Sequence, residues 1–189
     1  MDNANNHSAV SVMHHLLVGA LAVAATVGAT NAMAATDMFL QVGDIAGESA
    51  DDKHPNEIQV LAWSWGVGGS MAGGPQKGGA KPACAQLLSV DKYVDKATPL
   101  LVANAALNTT IPTARFTVRK RGEHPIEFLV VNLTGVTVKA LTSGGSTEDD
   151  RMTENLTLGF ASGTITYTLQ SPDGRPGTSV SGSTLGSCP

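Results

Sequence analysis

Aromatic residues are scarce in this chain of 189 residues, with two Trp, two Tyr and four Phe making up 4%. Charged residues are scarce too, at 15%, and the formal net charge is −4. A mildly acidic chain with few basic clusters argues against nucleic acid as a main partner, because neutralising a phosphate backbone takes grouped Lys and Arg. The two cysteines, Cys84 and Cys188, have no second pair and no histidine cluster beside them, so they do not make a zinc site. In an exported chain their spacing is compatible with a disulfide and equally with two free thiols.

Catalytic motifs are missing as well. GGSMA at 68–72 fails the nucleophile-elbow pattern at its last position and lies in a loop. GPQKGGAK at 74–81 has Ala80 where a phosphate loop needs lysine. His54 and His124 each precede a proline in a polar loop, where a lone histidine is ordinarily a solvated residue. Asp51 and Asp52, and Glu148, Asp149 and Asp150, are adjacent carboxylates without the alternating spacing of a calcium loop. The N-x-T triplets at Asn108, Asn132 and Asn155 matter only in a host that glycosylates them. The chain is therefore read as a non-enzyme, with no catalytic, cofactor-binding or metal-binding residues and no cofactor.

What is present begins with an uncharged apolar run, Leu16 to Thr30, followed by Ala32-Met33-Ala34. That is the layout of a secretory leader over residues 1–34, too short and alanine-rich for a stable membrane span. Its n-region lacks Lys and Arg, so a second reading stays open: an upstream start on a protein that begins near Thr36 or Met38.

Residues 35–170 read as one domain of strands. Ala114, Phe116 and Val118 alternate with polar residues, as do Leu156, Leu158 and Phe160, and Ile165, Tyr167 and Leu169. Leu88, Val90 and Lys92 form one file of another strand. The run at 126–141 is too long for one flat strand, and Gly135 marks a bend or bulge. TPLLVANAALN predicts a single short helix with Thr98 as N-cap, Pro99 in the first turn, Leu100, Ala103 and Leu107 on one face, and Asn108 as its stop. Residues 66–83 hold seven glycines without periodicity and read as a long functional loop; 171–189, rich in Gly, Ser, Pro and Thr, read as a flexible tail. One helix among six or more strands predicts a mainly β barrel or sandwich.

VLAWSWG at 60–66 holds both tryptophans. Period-two spacing puts Ile58, Val60, Ala62 and Ser64 on one face and Gln59, Leu61, Trp63 and Trp65 on the other. Both files are mostly apolar, which predicts a strand covered on both sides.

Taken in order, DMFLQVGDIAGES, EIQVLAWSWG, LSVDKYVDKATPLL, TARFTVRK, EFLVVNL and GGSTEDDRMTENLTLGFA resemble the Hcp family, the tube proteins of bacterial type VI secretion. The likeness runs from about Thr36 to Gln170. It implies a two-sheet β-barrel with one flanking helix, closing into homohexameric rings that stack into a tube and carry effectors. It also implies partners: the chain itself, secreted effectors, and type VI sheath or spike components, with neither nucleic acid nor stable membrane insertion. By the same resemblance Ser64 faces the pore; strand phase places Ala62 beside it, and Trp63 and Trp65 then fall to the core or the subunit contact. The loop with Lys77 and Lys81 is expected to reach the neighbouring ring. The alternative is an exported stand-alone binding module that kept the fold and lost polymerisation. Either way the expected location is secreted, by a leader or by the type VI machine, with cytoplasmic assembly if translation starts downstream. Family members generally lack a leader and commonly end in a further strand, and this chain is expected to depart from both patterns, with residues 171–189 not reading as a strand.

Overall fold

The computed structural model describes residues 35–68, 84–122, 124–171 and 175–186. The predicted leader therefore lies outside the described residues, as do Lys77, Lys81 and Cys188.

The described residues form ten strands and one helix: β1 (Thr36–Val42), β2 (Ile58–Ser64), β3 (Val67–Gly68), β4 (Cys84–Ala85), β5 (Leu88–Tyr93), α1 (Thr98–Leu107), β6 (Thr110–Lys120), β7 (Ile126–Gly144), β8 (Thr153–Gly159), β9 (Ser162–Gln170) and β10 (Pro176–Leu185). Eight strands hydrogen-bond in the order β10-β9-β7-β6-β1-β2-β5-β8, and a further β7–β8 pairing closes six of them into a barrel. All these pairings are antiparallel. A mainly β barrel with one short helix is the expected fold class, and closure removes the edges an open sheet would expose.

β7 makes that closure possible. Its first part pairs with β9 through Leu129–Thr134, and its second part pairs with β8 through Thr137–Gly144. The exchange happens at Gly135, whose φ is +59°. A Cβ there would stand 2.8 Å from the Ala161 Cβ, where the β8–β9 connection crosses. Only glycine combines that backbone with that approach.

The barrel interior is mainly apolar. Leu40, Val42, Ile58, Val60, Leu88, Val90, Phe116, Val131, Leu133, Leu156 and Leu158 belong to one buried cluster. The alternations expected at Ala114, Phe116 and Val118 and at Leu156, Leu158 and Phe160 all point inward. In β9 only Ile165 packs on the core, while Tyr167 and Leu169 are exposed.

Three expectations are corrected. The segment read as a flexible tail contains β10, which pairs with β9 from Pro176 to Leu185. Its sequence lacks apolar alternation because nearly all of its described residues, including Val180, are exposed, and Thr166–Ser181 and Thr168–Ser179 hydroxyl pairs join it to β9.

The helix buries Leu101, not the file of Leu100, Ala103 and Leu107; Leu107 is 77% exposed. Ala97, Leu101 and Ala105, four apart, are the residues turned to the core. Thr98 is the first helical residue, and the N-cap position falls to Ala97. The Thr98 hydroxyl instead accepts from Asp95 N–H and donates to Glu154. Asn108 ends the helix in the left-handed conformation, as expected.

The third correction concerns β2. Ile58 and Val60 point into the barrel, but the register against β5 shifts between Val60 and Ala62. This bulge puts Leu61 and Ala62 outward in succession and brings Trp63 and Trp65, rather than Ala62 and Ser64, into line with Ile58 and Val60. Among the described residues the strand is not covered on both sides. Its apolar residues change files because the strand slips by one.

Candidate functional site

The outer surface of the barrel has two unlike walls. Over β1 and β6 the loop between β1 and β2 folds back as a cover. His54, almost fully buried, stacks on Phe39 with ring centres 4.2 Å apart, and its Nδ1 lies 3.1 Å from Glu57 Oε1. Arg119 binds both carboxylate oxygens of Asp51, reaches Asp37 Oδ2 at 3.0 Å, and sits 5.0 Å from the Phe39 ring centre. Arg121 adds a 2.6 Å bond to Asp37 Oδ1. These contacts make His54 and Asp51 structural clamps rather than solvated loop residues.

The electrostatics of the clamp follow from its hydrogen bonds. The Arg119 guanidinium holds the Asp51 carboxyl well below the usual carboxylate range, against a smaller desolvation effect and aided by the Lys53 and His54 N–H groups. At Asp37 burial pulls the pKa upward, but bonds from Arg121 and Arg119 together outweigh it and the net shift is down. Arg119 is raised in turn, first by its bond to Asp51.

Among the described residues no loop covers the opposite wall. It is built by β2, β5, β8 and the second part of β7, and register fixes its rows. Ser64, Ser89, Thr157 and Ala140 lie side by side, and so do Ala62, Asp91, Asn155 and Thr142. A second bulge in β7, between Val138 and Ala140, turns Lys139 and Ala140 outward together, as the β2 bulge does for Leu61 and Ala62. The wall is thus lined by small and mostly neutral side chains. Asn155 is its hub, with Nδ2 donating to Asp91 Oδ1 at 2.7 Å and Oδ1 accepting from Thr157 at 3.2 Å. The Ser89 hydroxyl lies within 3.1 Å of the same amide.

Ala62 and Ser64 are both exposed on this wall, because the β2 bulge takes them out of the file of the buried Ile58 and Val60. Trp63 and Trp65 are half-buried on the reverse, packed against Phe116 and Phe160 at ring-centre distances of 5.1 and 6.3 Å. The glycine-rich loop leaves the barrel just beyond Ser64. Its two ends are tied by the β3–β4 pair, Val67 to Ala85 and Gly68 to Cys84, and by Gln86 N–H donating to Gly66 O at 2.8 Å.

Sequence reasoning missed Asp91 and Asn155, whose signal was their shared outward phase with Ser89 and Thr157. It also missed the buried Lys92–Glu154 pair, although Lys92 stood in the file of Leu88 and Val90. Among the described residues no group of three or more His, Cys, Asp and Glu is placed to hold a metal. No helix among them is long and apolar enough to cross a membrane.

Comparison with known proteins places this geometry. The family model described as "Type VI secretion system effector, Hcp" matches residues 39–167. Protein hcp1 of Pseudomonas aeruginosa is 45% identical over 142 residues, covering 74% of this chain and 88% of the relative. The crystal structure of Hcp1 from Salmonella typhimurium superposes with a TM-score of 0.69 at 29% identity, covering 80% of this chain and 99% of that one. A type VI secretion system effector from Yersinia pestis gives 0.64 at 33% identity, over 79% and 99%.

Proposed function

The chain belongs to the Hcp family of type VI secretion system proteins, and from that premise we propose that it is a tube subunit whose bare wall lines the lumen of a hexameric ring. The observation carrying this reading is the contrast between the two walls. One is sealed by its own loop, while the other offers rows of Ser, Thr, Ala and Asn side chains around Asp91, which six copies repeat around a channel. Small neutral side chains let cargo pass without strong adhesion, and Ser64 and Ala62 belong to that lining. Trp63 and Trp65 support the lining strand from behind. The segment carrying Lys77 and Lys81 starts and ends at one rim of the wall, which suits contact with a stacked ring. Effectors and sheath or spike components are then the partners, and the role is structural rather than enzymatic.

Light scattering on the purified chain tests the reading. A ring gives six times the protomer mass. A monomer at every concentration rejects the ring and leaves an Hcp-fold binding module. Export is tested separately by N-terminal sequencing of extracellular protein. Cleavage after Ala34 would leave β1 whole, since the first strand starts at Thr36 and the Ala35 carbonyl accepts from Arg121 N–H at 3.0 Å. A sequence beginning at Met1 or Met38 rejects the leader.

A further inference from the structure

The bare wall carries a carboxylate in its middle row. Asp91 is exposed between Ala62 and Asn155, and the Asn155 amide fixes one of its oxygens at 2.7 Å. Asn155 is itself held by Ser89 and Thr157, so the carboxylate is oriented by a hydrogen-bonded chain of neutral groups. The Arg151 guanidinium lies 3.9 Å over the Tyr93 ring, and the Lys139 stem passes over Gly159, its Cε 2.7 Å from where a Cβ would stand. Among the described residues neither forms an ion pair with Asp91. Beside the carboxylate runs an open groove of about 490 Å³, lined by Ala62, Thr142 and Leu61, the last 40% exposed.

We propose that this groove selects protein cargo by taking a basic side chain, Lys or Arg, with its aliphatic stem along Leu61 and its cationic head on the free oxygen of Asp91. An apolar edge next to an oriented carboxylate matches the two-part chemistry of those side chains and of no acidic or small neutral one. A single exposed pair of this kind is weak. In the hexamer six grooves face one channel, so a cargo with several basic residues engages them together and retention rises by avidity. The choice of cargo class rests on the tube reading above; the groove itself does not.

The test uses labelled oligolysine, oligoglutamate and oligoserine peptides of equal length, titrated with the full chain, with light scattering on each sample. Wild type should bind oligolysine in a salt-sensitive way and ignore the other two. Asp91→Asn, which keeps the Asn155 contact, should weaken oligolysine binding by about tenfold or more in the ring. Asp150→Asn, an exposed loop change of equal charge, should leave it within about twofold. Equal binding by Asp91→Asn and wild type, or binding of oligoglutamate as tight as oligolysine, overturns the proposal. The outcomes separate from those of the tube reading. An intact ring with no Asp91 effect removes the groove and keeps the tube, whereas a monomer whose binding still depends on Asp91 keeps the groove and removes the tube. A melt of each variant confirms that it is folded.

Discussion

Lys92 and Glu154 face each other across the β5–β8 ladder with no exposed side-chain surface, and the ammonium lies 2.5 Å from the carboxylate. Lys92 also donates to the Tyr93 carbonyl at 2.8 Å and to Asp95 Oδ1 at 2.9 Å. Glu154 accepts from Thr98 at 2.8 Å and from Ser143 at 3.0 Å. One ion pair thereby fastens the start of α1 to three strands. Its charges are tolerable in the interior because both are saturated with partners.

Breaking that pair from one side leaves the other charge stranded. Lys92→Met or Glu154→Leu should each destabilise the fold by about 3–5 kcal/mol, and the double variant should cost less than the sum of the two. Denaturant melts of the three variants check this. Additive losses would show that the two side chains do not act as a pair.

Trp63 and Trp65 are half-buried rather than enclosed, so truncation should cost less than for a fully buried ring. Trp63→Ala should lose about 2–4 kcal/mol, chiefly through its contact with Phe116. The Trp65 indole nitrogen is buried without a hydrogen-bond partner among the described residues, so Trp65→Phe forfeits no bond and should be clearly milder than Trp65→Ala. Melting temperatures decide both. A Trp65→Phe as damaging as Trp65→Ala would mean that the indole nitrogen is in fact satisfied.

Ser64 is exposed and lies next to Ser89. Ser64→Gln should change stability by less than about 0.5 kcal/mol and leave ring mass intact, as for other surface changes. Six longer amides would still alter the lining at once, so co-purified cargo should change in amount. Loss of fold or mass would place Ser64 in a contact; unchanged cargo would remove its role in binding.

Acid should loosen the clamped wall before the core. Asp51 and Asp37 have lowered folded pKa values, so their stabilisation is fully present above the unfolded carboxylate value, about 4, and disappears as pH falls through the folded values. The melting temperature should therefore drop on acidification below about pH 4. Asp51→Asn should be less stable near neutrality and show a shallower drop. An identical acid slope in variant and wild type would show that other carboxylates dominate.

Much of the barrel was legible from the sequence because its strands bury one face and therefore alternate. Ala114, Phe116 and Val118 in β6, and Leu156, Leu158 and Phe160 in β8, needed nothing beyond period-two phase, and Gly135 announced the bend in β7. Asn108 and Pro99 likewise bounded the helix, because cap and first-turn chemistry is local. Together with the motif order, this local information determined the fold class and the family.

What local pattern could not determine was left to pairing. The slip between Val60 and Ala62 exists only relative to β5, so no reading of β2 alone could say that Trp63 falls in line with Val60. Among its described residues β10 buries no face, and it leaves no apolar signature; its ladder to β9 decides that it is a strand. Helix propensity gave α1 its length, while the sheet beneath chose Leu101 over Leu100 as the buried side chain. The candidate site has the same origin. Ser64, Asp91, Asn155 and Thr142 are far apart in sequence and share a wall because four strands fix their register, and that register is set by side-chain packing across the whole barrel.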